Sequence, residues 1–233
     1  MIARKLEEIL SAIYRFFVFP FIRIYCELST KSIMKQRTYT NKGTSLGGRN
    51  YIGDNTVLSN VEFGYGSYIS RSSVLSNARV GKYCSIGPNL ECLGGSHPTK
   101  GFVSMHPSFY AKTSPCGFSF VKDDLYDENK YTDKEKGYFY EIGNDVWIGA
   151  NVSLAQGVHI GNGAVVGANS LVLNDIEPYS IYAGVPAKKI GTRFDEDKIS
   201  RLQSIKWWDK GEDFIKSNIN SFSDISLFLE NIK

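Results

Sequence analysis

Between residues 141 and 173 the chain reads EIGNDVWIGANVSLAQGVHIGNGAVVGANSLVL, and an aliphatic residue returns at every sixth position. The series is Ile142, Ile148, Leu154, Ile160, Val166 and Val172. Helices repeat near 3.6 residues and strands near 2, so a period of six demands another architecture. Four residues after the rungs, where a second side chain would face inward, stand Val146, Val152, Val158, Ala164 and Ser170, all small or medium. Glycine follows the rung at Gly143, Gly149, Gly161 and Gly167, which predicts tight corners that need permissive backbone angles. Three six-residue faces make a triangular coil of about 18 residues, and stacked coils pair their short strands in parallel around a continuous core. The pattern therefore predicts a mainly β, hexapeptide-repeat solenoid.

A second block carries the same signal less regularly. Val74, Val80, Ile86 and Cys92 are six apart, preceded by Ile52, Val57, Phe63 and Ile69 at spacings of five or six. The inner companions Ala78 and Cys84 are again small, and core packing is the expected role of Cys84 and Cys92. Residues 93–141 break the period, and a loop this long inside a compact repeat is usually functional or disordered. Its first part, rich in Gly, His, Phe and Tyr, is expected to be ordered, whereas KDDLYDENKYTDKEKG reads as solvated surface.

The two ends depart from the repeat. Residues 1–40 are expected to form an apolar and amphipathic helical segment. Within it ILSAIYRFFVFPFIRIYCEL, residues 9–28, carries Arg15, Arg23, Glu27 and Pro20, which argue against a membrane span. An interfacial helix tolerates arginines beside aromatics; a helix packed on its own protein or on a partner subunit fits the same composition. Residues 41–190 are expected to hold the solenoid with its inserted loop. Residues 191–233 begin with a helix start at Asp195, followed by apolar residues at 199, 202 and 205, and are expected to cap the open end of the coil stack.

Composition narrows the function without defining it. The 233 residues are 42% hydrophobic with a formal net charge of +3, and they contain no block of lysine or arginine interleaved with aromatics. A nucleic-acid surface is not expected, while anionic small molecules remain open. Cys26, Cys84, Cys92 and Cys116 form no CxxC pair, and no cleavable signal pattern is present, so the expected compartment is the cytoplasm.

Taken together, GKYCSIGPN (81–89), GGSH at the start of the excursion, IGNDVWIGANV, YSIYAGVPAKKI and RFDEDKISRLQSIKWWD resemble the hexapeptide-repeat acyltransferases, in the branch of xenobiotic and polysaccharide O-acetyltransferases. The resemblance runs from about residue 50 to 209. It implies a left-handed parallel β-helix, a homotrimer, acetyl-CoA as co-substrate, no metal, and active sites between subunits beneath a protruding loop. It also implies that a loop histidine deprotonates the acceptor hydroxyl for direct attack on the thioester, and His97 matches that position. A neutral imidazole suits this task near neutral pH, and no covalent acyl-enzyme is required.

The same resemblance selects Trp147, Ala150 and Ala168 along the groove for the pantetheine arm, and Lys188 and Lys189 for the nucleotide phosphates. Subunit packing would account equally for an outward Trp147. Tyr83 is the expected acceptor-side residue, with Asn89, Phe102, Phe109 and Tyr110 as further candidates. His106 is expected to pack within the loop and His159 to point outward from its strand. The leading functional expectation is O-acetylation of a cell-surface polysaccharide sugar or its precursor, motivated by the aromatic amino-terminal segment and a peripheral site on the inner membrane face. The alternative is a streptogramin- or chloramphenicol-type antibiotic acetyltransferase. A γ-carbonic-anhydrase-like hydratase needs three histidine ligands with one close pair, which this chain's three histidines do not provide. A non-catalytic scaffold would leave the loop histidine without purpose.

Overall fold

The computed structural model describes Lys5 and residues 17–232, so the helical expectation for residues 1–4 and 6–16 lies outside the described residues. The remainder of the amino-terminal segment forms helix α1 (Phe19–Thr30), with Pro20 in its first turn, where a missing N–H costs nothing, and Lys31 in the left-handed region at its end. Among its residues only Phe19 is buried, against Tyr39, with ring centroids 5.4 Å apart. Phe21, Ile24, Tyr25 and Leu28, together with Phe17, stay exposed. No helix among the described residues is long and apolar enough to cross a membrane.

The chain then winds into three parallel faces. The first stacks β1 (Ile33–Met34), β4 (Tyr51–Ile52), β6 (Tyr68–Ile69), β8 (Ser85–Ile86), β11 (Trp147–Ile148), β14 (Val165–Val166) and β16 (Ser180–Ala183). The second holds β2 (Tyr39–Thr40), the start of β5 (Val57–Phe63) and of β7 (Val74–Val80), then β9 (Glu91–Cys92), β12 (Ser153–Leu154) and β15 (Leu171–Val172). The third holds β3 (Ser45–Leu46), the ends of β5 and β7, β10 (Tyr140–Ile142) and β13 (Val158–Ile160). All six rungs from Ile142 to Val172 and their five small companions are buried, so side chains of like size lie directly over one another from coil to coil.

Coil length explains why the earlier block looks irregular. Trp147 pairs with Val165, eighteen residues on, whereas Tyr51 pairs with Tyr68 and Tyr68 with Ser85, seventeen residues on. The short step falls inside β5 and β7, which run through a corner as single strands bent at Asn60 and Asn77 (φ 56° and 49°). This corrects two expected rungs. Val57 is only half-buried and Val74 is 47% exposed, while Leu58 and Leu75 fill the core. Cys84 is fully buried, and burial pushes its thiol up to about 12.

The glycines after the rungs also serve differently from expectation. Gly143, Gly149, Gly161 and Gly167 do not adopt positive φ; left-handed corner positions belong to Asn89, Asn151, Asn169, Asp145 and Tyr179, among others. Asparagine tolerates that region because its short polar side chain bonds locally. Here it bonds along the stack, Asn89 Nδ2 donating to Asn151 Oδ1 (2.7 Å) and Asn151 Nδ2 to Asn169 Oδ1 (2.9 Å). Gly149 is needed for proximity, since a Cβ there would lie 2.6 Å from the backbone N of Ala168.

At the last coil β17 (Lys188–Thr192) pairs antiparallel with β16. At the first coil the Arg23 guanidinium donates to the carbonyl of Met34, and Glu27 Oε1 accepts from its N–H (2.9 Å). The carboxy-terminal helices α2 (Glu196–Ile205), α3 (Gly211–Asn218) and α4 (Ile225–Asn231) run back along one corner of the solenoid. Asn162 donates to Gln203 (3.0 Å), Trp207 packs on Tyr83 (5.2 Å), Lys82 pairs with Asp209 (2.7 Å) and Arg49 with Glu212 (2.9 Å). α2 starts as the sequence predicts, with the Asp195 carboxylate accepting from the Lys198 N–H (3.0 Å). The corrected register makes a direct prediction. Leu75→Ala lowers the stability measured by chemical denaturation by about 2–5 kcal/mol, whereas Val74→Ala changes it by less than about 1 kcal/mol.

Candidate active site

The 93–139 excursion leaves the second face after Cys92 and returns to the third at Tyr140, so Ser85 and Trp147, sixty-two residues apart, are neighbours in the ladder. Its two ends are tied together, because the buried Tyr140 hydroxyl donates to the Leu93 carbonyl (2.5 Å). Inside the loop a single 3₁₀ turn, Pro107–Phe109, holds buried Ser108, whose hydroxyl donates to the Phe118 carbonyl (2.9 Å) and accepts from the Ser114 hydroxyl (3.0 Å). Asp124 Oδ1 accepts from the Lys112 N–H (2.6 Å), and Leu125 N–H donates to the Tyr110 carbonyl (2.7 Å). The expectation of order in the first half is therefore met, but the acidic second half is not plain solvated surface. Tyr126 and Glu128 turn inward and pack against the first half.

His97 sits at the junction of the two halves. Its imidazole is exposed, yet Nδ1 lies 2.5 Å from the hydroxyl of Tyr110, a side chain with no solvent exposure. That hydroxyl donates in turn to Glu128 Oε1 (2.5 Å). Burial and the hydrogen bond to Glu128 hold the Tyr110 phenol above its ordinary range, so it stays neutral. Phe102 and Tyr126 pack edge-on to Tyr110 at 6.1 and 5.7 Å. The Glu128 backbone is fixed from the first half of the loop, its carbonyl accepting from Ser96 N–H (2.9 Å). That approach explains one glycine of GGSH: a Cβ on Gly95 would lie 2.6 Å from the Glu128 carbonyl oxygen, whereas Gly94 faces open space. The imidazole is thus gripped through one nitrogen while the ring stays accessible, a geometry suited to proton abstraction.

The other expected residues divide into two groups. Trp147 projects outward from the first face at 58% exposure, and Ala150 and exposed Ala168 occupy equivalent corners of successive coils, joined by the Asn169 N–H to Ala150 carbonyl bond (2.8 Å). Lys188 pairs with Ala183 on the edge strand next to this corner, and its ammonium makes no ion pair among the described residues. Lys189 is engaged by Glu177, which lowers the Glu177 carboxyl and raises the lysine. Tyr83 stands on a different corner from the loop, between Tyr65 (5.9 Å) and Trp207 (5.2 Å), and packing of the carboxy-terminal helices accounts for its side chain. Asn89 belongs to the asparagine ladder.

The remaining histidines have local partners. His106 Nδ1 accepts from Ser108 N–H (3.2 Å), with its ring against Phe118 and Phe109, and His159 lies exposed on β13 with its backbone N–H donating to Asp175 Oδ1 (2.8 Å). No three His, Cys, Asp or Glu side chains among the described residues are grouped to hold a metal ion. Glu128 was missed by sequence reasoning because it lies in an acidic run 31 residues from His97, with no local spacing to link the two. The contact at Gly95 yields a test. Gly95→Ala displaces the 126–128 segment and raises amide hydrogen exchange at Ser96 and Leu125, while Gly94→Ala leaves both at wild-type rates.

Residues 140–174 match the family described as bacterial transferase hexapeptide (six repeats). A chloramphenicol acetyltransferase of Klebsiella aerogenes is 38% identical over 140 residues, which cover 59% of this chain and 62% of that protein's length. A probable macrolide acetyltransferase of Lysinibacillus sphaericus is 36% identical over 142 residues, covering 60% of this chain and 73% of its own. Among solved structures, AntD, an N-acyltransferase of Bacillus cereus in complex with dTDP and 3-hydroxybutyryl-CoA, has a TM-score of 0.48 at 23% identity, covering 84% of this chain and 96% of that one. With a six-residue ladder wound into parallel coils, the matched hexapeptide repeats and a 36% identical acetyltransferase covered over 73% of its length, the chain belongs to the hexapeptide-repeat acyltransferase family.

Proposed function

We propose that the protein is an acetyl-CoA-dependent O-acetyltransferase whose acceptor is a small, hydroxyl-bearing xenobiotic of the chloramphenicol class. The observation that carries this reading is the exposed His97 imidazole, held through Nδ1 at the root of the inserted loop. The acceptor class rests on the relatives, which include enzymes named chloramphenicol acetyltransferase, and this reverses the order expected from sequence, where a cell-surface sugar came first. In this reaction His97 Nε2 takes the acceptor's hydroxyl proton as the oxygen attacks the thioester carbonyl. The imidazolium then returns that proton to the departing thiolate, giving acetyl ester and free thiol.

Acetyl-CoA supplies the activated acetyl group. The chain's contribution to holding it is an outward tryptophan, a corner of small residues at Ala150 and Ala168, and Lys188 at the end of that edge, without an ion-pair partner among the described residues. This set fits an extended arm that ends in phosphates. Lys189, already neutralised by Glu177, contributes less. The protein acts as a homotrimer in the cytoplasm, with the exposed Trp147 at a site completed by a neighbouring copy. A sugar acceptor at the membrane surface is the second reading, favoured by the exposed aromatic face of α1.

With chloramphenicol as acceptor, His97→Ala reduces thiol release by about 100-fold or more while retaining coenzyme A binding. Turnover with glycan acceptors and none with chloramphenicol would move the assignment to the second reading. Light scattering at micromolar concentration gives a particle near three times the 26.1 kDa chain mass, and a monomer would contradict the shared site.

A further inference from the structure

The three groups His97, Tyr110 and Glu128 form a chain of two hydrogen bonds, both 2.5 Å long, in which the proton positions are set by simple counting. An ionised carboxylate only accepts, and a phenol has one proton to give. Tyr110 therefore donates to Glu128 Oε1 and has only a lone pair left for His97. Two acceptors cannot share the remaining contact, so in the neutral ring Nδ1 must carry the hydrogen. Nε2, at the exposed edge, is then left with its lone pair free.

We propose that Tyr110 and Glu128 are positioning residues which fix His97 in its Nδ1–H tautomer and stabilise the imidazolium that forms when Nε2 takes a proton. The proposal rests on the reading of His97 as general base. When the ring becomes positive its bond to Tyr110 becomes charge-assisted, and the Glu128 charge is felt through the polarised phenol. Tyr110 remains neutral throughout; no proton leaves the imidazole through Nδ1. Around this chain Phe102 supplies an apolar face, and the phenol of Tyr126 is bonded to Ser96 Oγ (2.9 Å), so Glu128 is the charged group in contact with it among the described residues. The arrangement couples the two halves of the loop, since one half supplies His97 and Tyr110 and the other Glu128.

Nitrogen-15 labelling of histidine distinguishes the tautomers directly and needs no turnover. In the wild-type protein at pH 8, two-bond proton–nitrogen correlations should show His97 with a protonated Nδ1 and an unprotonated Nε2. In Tyr110→Phe that pattern should be lost, and a wild-type His97 protonated at Nε2 would overturn the proposal outright. Because Tyr110 is buried and its phenylalanine variant could unfold, Glu128→Gln is the second test. With the carboxylate charge gone the imidazolium is less stable, so the acid limb of the kcat/KM profile moves to lower pH. The rate falls by about 10-fold, and KM for acetyl-CoA is unchanged. A Glu128→Gln enzyme with an unmoved acid limb would reduce Glu128 to loop packing and overturn its part. If the tautomer is as stated but His97→Ala retains full turnover, the general-base reading fails while the hydrogen-bond assignment stands.

Discussion

Each coil of this protein has to set an aliphatic side chain directly on the one beneath it, and the other features are accommodated to that stacking. A two-residue strand has too few hydrogen bonds to persist alone; it persists because Ile52, Ile69, Ile86, Ile148 and Val166 form one column, and two further columns stand beside it. The column demands corners of fixed geometry. Those corners require left-handed residues, filled here largely by asparagines that bond to their counterparts above and below, and glycines where neighbouring coils come within contact. The excursion of 93–139 is tolerated because it starts and ends at one corner, so the columns continue across it with Ile86 beneath Ile148.

The rungs of the later block were legible in the sequence because an eighteen-residue coil keeps a strict six, although its corners fall on Asp145, Asn151 and Asn169 and not on the glycines after the rungs. The earlier block was legible as a solenoid but misread by one position at Val57 and Val74. A seventeen-residue coil hides which of its three sides is short, and the neighbouring Leu58 and Leu75 offer equally apolar side chains. Helix α2 was readable from its capping aspartate, a local signal. Its packing along a corner was not, because that depends on long-range partners such as Tyr83 with Trp207 and Arg49 with Glu212.

The same division runs through the candidate site. His97 could be located because GGSH is a contiguous motif, and Gly95 within it is explained by the backbone of Glu128. Glu128 and the place of Tyr110 in the chain could not, since folding of the loop alone brings them under the imidazole. Tyr83, chosen from a motif beside the repeat, is occupied by aromatic packing on another corner. The loop thus carries its own hydrogen-bonding system, while the coil stack beneath it offers the straight edge of Trp147, Ala150 and Ala168.

A stack of parallel strands presents at each end a row of unpaired amides and carbonyls, which invites another copy to continue it. Here the first face is closed at both ends. Arg23 and Glu27 bond the carbonyl and N–H of Met34 as the next coil would have done, and β17 runs antiparallel to β16. On that face a second molecule arriving at either end would meet side chains or a reversed strand in place of a matching register. End-to-end growth is thereby denied a template along the face that carries Trp147.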